Sequence, residues 1–412
     1  MSTPQATPSR GGTNLVLATL FFGVFALGCA ELLVVGLLEP IAADLGVSIP
    51  AAGALVTSYA LGLAIGGPIL TALTIRLDRR AVLAGALVLF ALANLAPVLI
   101  TDYALFVVAR GVDGAAQGLF VAVAFGVGTS IAPPERAGRA ISVIISGVAV
   151  SAALGLPLGT AIGQTLGWRG SFTAIIVLSV IVLIATLALV PAVPGSRSGS
   201  AGQARYALAP RVLAVLGLNL VVFTSLYAAL TYIVPFLRDV TGVPAAMVSV
   251  YLFVYGLATA VGSFSGGWFA DRNAARTLVV GTTGMAAALL MLHLVGGDPI
   301  LVALTMLLWG LFAFVMVPSL QLRVVSLAGP GGELAQSLPA SAINIGVALG
   351  PIAGGIALSS SASAPVITGL AIALVGIAAS VATGYLKPPP ATTTAPTVQS
   401  TRRQRTGPAS QA

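Results

Sequence analysis

Three ionisable side chains, Glu31, Arg110 and Asp113, lie inside stretches that are otherwise apolar enough to cross a membrane. A charge at the centre of a bilayer costs about 2.5–3.5 kcal/mol on insertion scales, so such residues usually face a partner or an ion path. A buried acid beside a base can take up or release a proton when their contact changes. We therefore predict that these side chains mark an ion or substrate pathway. The alternative is a purely structural Arg110–Asp113 pair within one helix.

The depths of Glu31 and Arg110 in their apolar stretches suggest that they can meet. Glu31 lies seven residues before Leu38, where its stretch ends, and Arg110 lies about six residues into its own. At about 1.5 Å per residue, both lie roughly 10 Å from the same edge of the bilayer. Matching heights allow this acid and this base to meet if their two helices are adjacent.

The elements that must position these side chains are membrane helices. The chain has 412 residues, of which 58% are hydrophobic and only 7% are charged. A membrane helix needs about 20 apolar residues, far more than a barrel strand. Twelve runs meet this requirement: 14–38, 51–75, 81–100, 104–131, 141–166, 170–190, 211–237, 246–270, 277–296, 299–325, 334–360 and 364–386. An all-α membrane protein with twelve spans is the predicted fold class.

The basic residues indicate orientation rather than nucleic-acid binding, although the net charge is +8. With the N-terminus in the cytoplasm, 16 of the 19 basic residues lie on the cytoplasmic side. The positive-inside rule then predicts that both termini are cytoplasmic. Cys29 is the only cysteine, so an internal disulfide is excluded.

Breaks in the apolar pattern predict the domain boundaries. Residues 1–13 and 387–412 are expected to be disordered tails, and 191–210 a cytoplasmic linker. Between them lie two six-helix bundles, 14–190 and 211–386.

The two bundles repeat one another in sequence. A shift of 196 residues places Tyr59 on Tyr255 and Gly66 on Gly262. The same shift places Tyr227 opposite Glu31, so the ionisable side chains at mid-membrane depth belong to the first bundle. Because six crossings return the chain to its starting face, the repeat is parallel, and substrate is expected near the midplane between the bundles.

Motifs on several helices resemble those of a known family. Residues 267–272 (GWFADR), at the end of the eighth run, match a known loop motif that contains an aspartate followed by an arginine. The corresponding loop after the second run lacks this aspartate. Residues 110–118 (RGVDGAAQG) and 155–160 (GLPLGT) fit two further patterns. The chain thereby resembles the major facilitator superfamily, specifically the twelve-helix drug–proton antiporters that are similar to chloramphenicol-resistance and arabinose-efflux proteins.

This resemblance implies roles for particular residues. It implies a coupling role for Glu31, Arg110 and Asp113, and a conformational role for a second group: Gly155, Pro157, Gly159, Asp271 and Arg272. Asp271 and Arg272 are expected to latch neighbouring helices, with topogenic arginines alone as the alternative. Polar and aromatic side chains are expected to line the substrate cavity: Gln117, Tyr227, Tyr232, Trp309, Phe312 and Asn344. For those of the second half, a lipid-facing position or ordinary packing is the alternative.

The predicted function is proton-coupled efflux of a small amphipathic compound or drug across the inner membrane by alternating access. A sugar or metabolite exporter of the same fold is the alternative, and a non-transporting sensor or scaffold is a third hypothesis. The expected partners are the substrate, protons and the bilayer, with no nucleic acid, and the chain is expected to be a monomer. The sequence contains no phosphate-binding loop and no metal-ligand cluster, so neither an enzyme nor a cofactor is predicted.

Overall fold

The structure is a computed structural model that describes residues 10–133, 136–194, 208–329, 335 and 338–388. Helices account for its regular structure, and within those ranges there are no strands. Eleven helices are long and apolar enough to cross a membrane. The longest, Ala245–Leu294, contains two spans separated at Asn273, so the twelve predicted spans are confirmed.

The first half contains six helices: α1 (Arg10–Leu45), α2 (Ile49–Thr74), α3 (Arg79–Leu99), α4 (Tyr103–Ile131), α5 (Ala137–Val150, Ser151–Gly155 and Leu156–Leu166) and α6 (Trp168–Leu189). The second half contains the other six: α7 (Pro210–Leu230, then Ile233–Pro235 and Phe236–Val240), α8 and α9 (Ala245–Leu294, before and after Asn273), α10 (Pro299–Ala328), α11 (Leu338–Leu358) and α12 (Ala364–Gly384). Helix α1 begins at Arg10, before the predicted boundary at residue 14. Most of the predicted linker, and most of both tails, lies outside the described residues.

Polar residues in the loops begin several of these helices. The side chains of Asp78, Asp102 and Asp298 accept backbone N–H groups in the first turns of α3, α4 and α10. At Asn273 the backbone is extended, and its Oδ1 accepts the N–H of Arg276 at 2.9 Å. Each side chain satisfies an N–H group that the helix itself leaves unpaired. These short polar signals separate the apolar runs into distinct spans.

The sequence repeat is also present in the packing of the helices. In the first half, a Cβ atom added to Gly114 of α4 would lie 1.9 Å from the carbonyl oxygen of Tyr59 in α2. In the second half, a Cβ atom on Gly310 of α10 would lie 2.7 Å from the carbonyl oxygen of Tyr255 in α8. Both pairs are related by the 196-residue shift. The same close, glycine-dependent helix crossing therefore occurs in each half.

The contacts between the two halves lie in the part of the bundle that extends from its middle to one of its two faces. We call the face where α1 begins and α12 ends the terminal face, and the opposite one the distal face. Near the distal face, Arg238 of α7 forms an ion pair with Glu39 of α1, and Gln164 of α5 donates to the Ala245 carbonyl oxygen at 2.7 Å. Deeper in the bundle, Thr57 of α2 donates to the carbonyl oxygen of Ala348 in α11 at 2.8 Å. The structure is therefore closed at its distal face.

Two prolines follow π-helical turns in helices that contact the other half. Ser151–Gly155 precedes Pro157 in α5, and Gly62–Gly66 precedes Pro68 in α2. A proline removes a backbone donor and its ring clashes with the preceding turn, and a wider turn relieves both effects. The turn in α5 lies against α8, since a Cβ atom on Gly256 would lie 2.3 Å from the Ala152 carbonyl oxygen.

The glycine-dependent crossing of α2 and α4 can be tested by adding single methyl groups. We expect Gly114→Ala to lower stability by about 1–3 kcal/mol, because backbone atoms of α2 must move to admit the new methyl group. Gly126→Ala on the same helix is the matched control, because a Cβ atom there meets nothing within 4 Å. Thermal unfolding in detergent measures both variants. Equal melting temperatures would contradict the assigned crossing.

Candidate functional site

Six polar side chains from four helices meet in the first half, and we call them the polar cluster: Glu31, Tyr59, Asn94, Arg110, Asp113 and Gln117. Helix α4 supplies Arg110, Asp113 and Gln117, which lie three and four residues apart and therefore share one face. Helices α1, α2 and α3 each supply one side chain. The close α2–α4 crossing brings Tyr59 under this face.

Arg110 is completely buried and has three partners in the cluster. One terminal nitrogen donates to the backbone carbonyl oxygen of Glu31 at 3.4 Å, and the other lies 3.7 Å from Oδ2 of Asp113. The guanidinium group also lies over the Tyr59 ring, with Cζ 4.2 Å from its centroid. A buried cation requires such compensation, because few other groups can solvate it.

Asp113 is buried and is held between two side chains. Besides the contact with Arg110, its Oδ1 accepts a hydrogen bond from Nδ2 of Asn94 at 2.8 Å. Asn94 is itself completely buried and also donates to the Phe90 carbonyl oxygen. Asn94 was missed in the sequence analysis. The sequence feature that could have identified it is an amide side chain within the otherwise apolar 81–100 run. A buried amide requires hydrogen-bond partners, so its position predicts polar neighbours.

The Glu31 carboxylate contacts Gln117 rather than Arg110. Nε2 of Gln117 donates to Oε2 of Glu31 at 2.7 Å, and the Tyr59 hydroxyl donates to Oε1 of Gln117. Unlike Arg110 and Asp113, Glu31 is only partly buried. The structure thus brings the predicted acid and base together, but through the main chain of Glu31. Gln117, predicted to line the substrate cavity, instead links Glu31 to Tyr59.

The charges of the cluster do not balance unless it binds a proton. One guanidinium and two ionised carboxylates carry a net charge of −1, whereas protonation of one carboxyl group makes the set neutral. In a medium of low dielectric constant, an uncompensated charge is strongly disfavoured. The arrangement is therefore chemically suited to bind and release a single proton.

Three buried aromatic side chains of the second half occupy positions that the repeat relates to members of the polar cluster: Tyr227, Tyr255 and Trp309. The rings of Tyr255 and Trp309 lie 5.1 Å apart and are tilted by 51°. Tyr227 and Trp309, two of the predicted cavity residues, thus lie in the part of the second half that corresponds to the polar cluster.

The remaining predicted cavity residues lie elsewhere. The Tyr232 ring belongs to the distal closure, where its hydroxyl donates to the Pro351 carbonyl oxygen and contacts Gly53 of α2. The ring of Phe312 packs on Gly284 between α9 and α10. The side chain of Asn344 donates to the Ala340 carbonyl oxygen of its own helix. Periodicity did not distinguish these residues from cavity residues, because several faces of these helices are covered by protein.

The predicted conformational residues occupy two places. In α5, Cβ atoms on Gly155 and Gly159 would clash with Cys29 and Leu33 of α1, which places this glycine stripe beside the helix that carries Glu31. At the terminal face, the Arg272 guanidinium lies over the Trp268 ring, 3.3 Å from its centroid. Within the described part of the chain, Asp271 forms no ion pair, so the predicted latch is not engaged in this state.

Among the described residues, no three His, Cys, Asp or Glu side chains are grouped so that they could hold a metal ion. The carboxyl, guanidinium, amide and hydroxyl groups of the polar cluster support hydrogen bonding and proton transfer.

A sequence model of the Major Facilitator Superfamily matches residues 20–337. The chain belongs to this family. It is accordingly a multi-pass membrane transporter and not an enzyme, and the predicted family and fold are confirmed. Within the family, the chain is 33% identical to the uncharacterized transporter YtbD of Bacillus subtilis over 346 residues, which cover 82% of this chain and 87% of that protein.

Other members of the family are similar over comparable lengths. The inner membrane transport protein YdhP of Escherichia coli K12 is 30% identical, with 89% of this chain and 96% of that protein covered. A chloramphenicol resistance protein of Streptomyces lividans is also 30% identical, with 82% and 88% covered.

Solved structures support the fold. A bacterial homologue of the human lysosomal transporter Spinster, in an inward-facing and occupied conformation, has a TM-score of 0.73 at 17% identity, covering 92% of this chain and 95% of that one. A D-xylose–proton symporter has a TM-score of 0.68 at 19% identity, with 91% and 98% covered. At these identities the likeness shows a shared fold.

The interdependence of Arg110 and Asp113 can be tested with a double-mutant cycle. We expect Arg110→Met or Asp113→Leu alone to cost about 3–5 kcal/mol, because each leaves a buried charge without its partner. The double variant should cost less than the sum of the two. Denaturation in detergent measures the coupling.

The exposed ion pair between Asp44 and Arg169 is the control for this cycle. Alanine substitutions there should cost no more than about 1 kcal/mol, because water already screens both charges. Additive effects at Arg110 and Asp113 would rule out the buried pair as a coupled unit.

Proposed function

We propose that this transporter exports a small amphipathic organic compound across the cytoplasmic membrane in exchange for protons. The observation that carries the proposal is the polar cluster, in which the side chains of one arginine and two carboxylic acids lie together among the membrane helices: Asp113 pairs with the Arg110 guanidinium, and Glu31 binds it through its backbone carbonyl oxygen. Such a set favours one bound proton, and a transporter that alternates its access can carry that proton across. The cluster is built from a single chain, so the monomer is the proposed functional unit.

Glu31 is the proton carrier, and Asp113 is the fixed counter-charge of Arg110. Asp113 is fully enclosed between Arg110 and Asn94, so a proton has little access to it. Glu31 is partly exposed, and its carboxylate accepts a hydrogen bond from a neutral amide. Protonation of Glu31 removes the excess charge without disturbing the buried ion pair.

Coupling follows from the position of Glu31 between the two halves. Its carboxyl group accepts a hydrogen bond from Gln117, and Glu39, two turns along the same helix, pairs with Arg238 of the second half. Cargo that brings a hydrogen-bond donor to the Glu31 carboxylate stabilises the ionised form and therefore favours release of the proton. Relative motion of the halves then exposes Glu31 to the other side of the membrane, where it is protonated again.

The basic residues assign the terminal face to the cytoplasm. With that orientation, the structure is closed to the outside, which is the state in which an exporter loads cargo and releases its proton. Residues Gly155, Pro157 and Gly159 of α5 are the proposed pivot, because the π-helical turn beside them lies against α8. The proposed latch of Asp271 and Arg272 engages in a different state of the cycle.

Two features support an amphipathic substrate. The first half supplies a polar cluster, and the related positions of the second half carry the rings of Tyr227, Tyr255 and Trp309. The relative from Streptomyces lividans is named for chloramphenicol resistance, which makes chloramphenicol the first compound to test. It is uncharged and carries an aromatic ring with polar groups.

Proton coupling through Glu31 is tested with Glu31→Gln, which keeps the size and hydrogen-bonding capacity of the side chain but cannot ionise. In membrane vesicles with an imposed pH gradient, we expect gradient-driven chloramphenicol transport to fall to the background of vesicles without the protein. Substrate exchange in the absence of a gradient should persist, because that half-cycle needs no net proton transfer.

Asp44→Asn is the matched control on the same helix, since Asp44 is solvent-accessible and pairs with Arg169 away from the cluster. It should retain gradient-driven transport. Gradient-driven transport by Glu31→Gln at the rate of the unaltered protein would overturn the assignment of the carrier.

The substrate class is tested by a susceptibility panel in a sensitive host that expresses the gene. Raised tolerance to uncharged amphipathic antibiotics, abolished by Glu31→Gln, is the expected result. Unchanged tolerance throughout the panel would instead favour the sugar or metabolite exporter, and radiolabelled sugars and metabolites would then replace the antibiotics in the vesicle assay.

A further inference from the structure

We propose that the Tyr255 hydroxyl and the Trp309 indole N–H form a donor pair that binds an acceptor oxygen of an uncharged aromatic substrate. The inference rests on the proposed function and deepens it, since it places cargo recognition in the second half and names the chemistry of the cargo. A carbonyl or nitro oxygen on a flat, largely apolar body fits the pair.

Both donors are buried without a hydrogen-bond acceptor. Trp309 is completely enclosed and Tyr255 is 3% exposed, yet neither the indole nitrogen nor the hydroxyl has a hydrogen-bond partner among the residues that the structure describes. Leaving a buried polar group unpaired costs about 1–3 kcal/mol. The two rings lie 5.1 Å apart, and a ligand oxygen within reach of both donors would supply the missing acceptor.

The repeat shows what these donors lack. The 196-residue shift relates Tyr59 to Tyr255, and Gly114 and Gly310 place both tyrosines in the same type of helix crossing. In the first half, the Tyr59 hydroxyl donates to Oε1 of Gln117. The residue related to Gln117 is Ala313, which is buried and has no side-chain acceptor. The second half thus retains the donor and has lost its internal acceptor.

The same shift relates Asp113 to Trp309 and Arg110 to Met306. Where the first half has a buried ion pair, the second half has an aromatic ring and a thioether side chain. In the described part of the second half, the Asp, Arg, Lys and His side chains lie near helix ends. A permanently charged ligand would find no counter-charge there, which favours an uncharged one.

Equilibrium binding of radiolabelled chloramphenicol to the purified protein in detergent tests the donor pair. Tyr255→Phe removes only the hydroxyl group, and we expect it to raise the Kd about three- to tenfold, the effect of one neutral hydrogen bond. Trp309→Phe should act in the same direction. Tyr251→Phe, one turn earlier on α8, is the matched control, because its hydroxyl donates to the Pro299 carbonyl oxygen outside the site.

Thermal unfolding without ligand provides a second readout that needs no substrate. Tyr255→Phe should leave the melting temperature unchanged or raise it, because the hydroxyl that it removes is unpaired. Tyr59→Phe, at the related position, should lower the melting temperature, because that hydroxyl bonds to Gln117 and lies 3.1 Å from the Leu27 carbonyl oxygen. Equal losses for the two variants would show that Tyr255 already has an internal partner and would overturn the proposal.

The outcomes separate this proposal from the proposed antiport. Equal Kd values for Tyr255→Phe and Tyr251→Phe, with proton-driven export intact, overturn the donor pair alone. A raised Kd for Tyr255→Phe without proton-driven export supports the donor pair and overturns the antiport. Selective binding of a permanent cation such as tetraphenylphosphonium in place of chloramphenicol, unaffected by Tyr255→Phe, also overturns the donor pair.

Discussion

The buried positive charge of Arg110 is the constraint around which the first half is organised. No bulk water can solvate a guanidinium at this depth, so the protein must supply its counter-charge, its acceptors and an aromatic face. Asp113, the main chain of Glu31 and the Tyr59 ring provide these. Loss of any one of these contacts leaves the guanidinium less well compensated in an interior where water cannot solvate it.

The backbone packing follows from the same constraint. The Tyr59 ring reaches Arg110 because α2 and α4 cross with their main chains nearly in contact. A Cβ atom on Gly62 would lie 1.9 Å from the Gly111 carbonyl oxygen, and one on Gly114 at the same distance from that of Tyr59. The glycines of α4 therefore do more than permit packing, because they set the height and distance at which the ring meets the cation.

The two halves share their packing but differ in their chemistry. Gly262 of α8 packs on Leu311 of α10, as Gly66 of α2 packs on Ala115 of α4, and both pairs are related by the repeat. The side chains that these crossings present to the midplane have diverged, with charges and amides in one half and aromatic rings in the other. A duplicated scaffold can thus assign proton exchange to one half and cargo recognition to the other, while the contacts between the halves couple the two.

Much of this protein could be predicted from its sequence. Apolar runs of about 20 residues have no other stable solution in a bilayer than helices, so the number of spans and the α-helical class follow directly. The repeat followed from paired residues at a constant offset, and the polar centre followed from the rarity of charges such as Glu31 and Arg110.

The hydrogen-bond and packing partners of these residues could not be predicted from the sequence. Asn94 and Tyr255 do not stand out in the sequence. Tyr232 and Phe312 are aromatic like Trp309, but of these three only Trp309 packs against Tyr255. Which face of a helix meets which neighbour depends on crossings between segments far apart in the chain, and local periodicity carries no information about them. Composition and periodicity therefore determined the spans and the presence of buried charge. Only the tertiary structure decided that Gln117 donates to the Glu31 carboxylate and that the donors of Tyr255 and Trp309 find no acceptor within the described part of the chain.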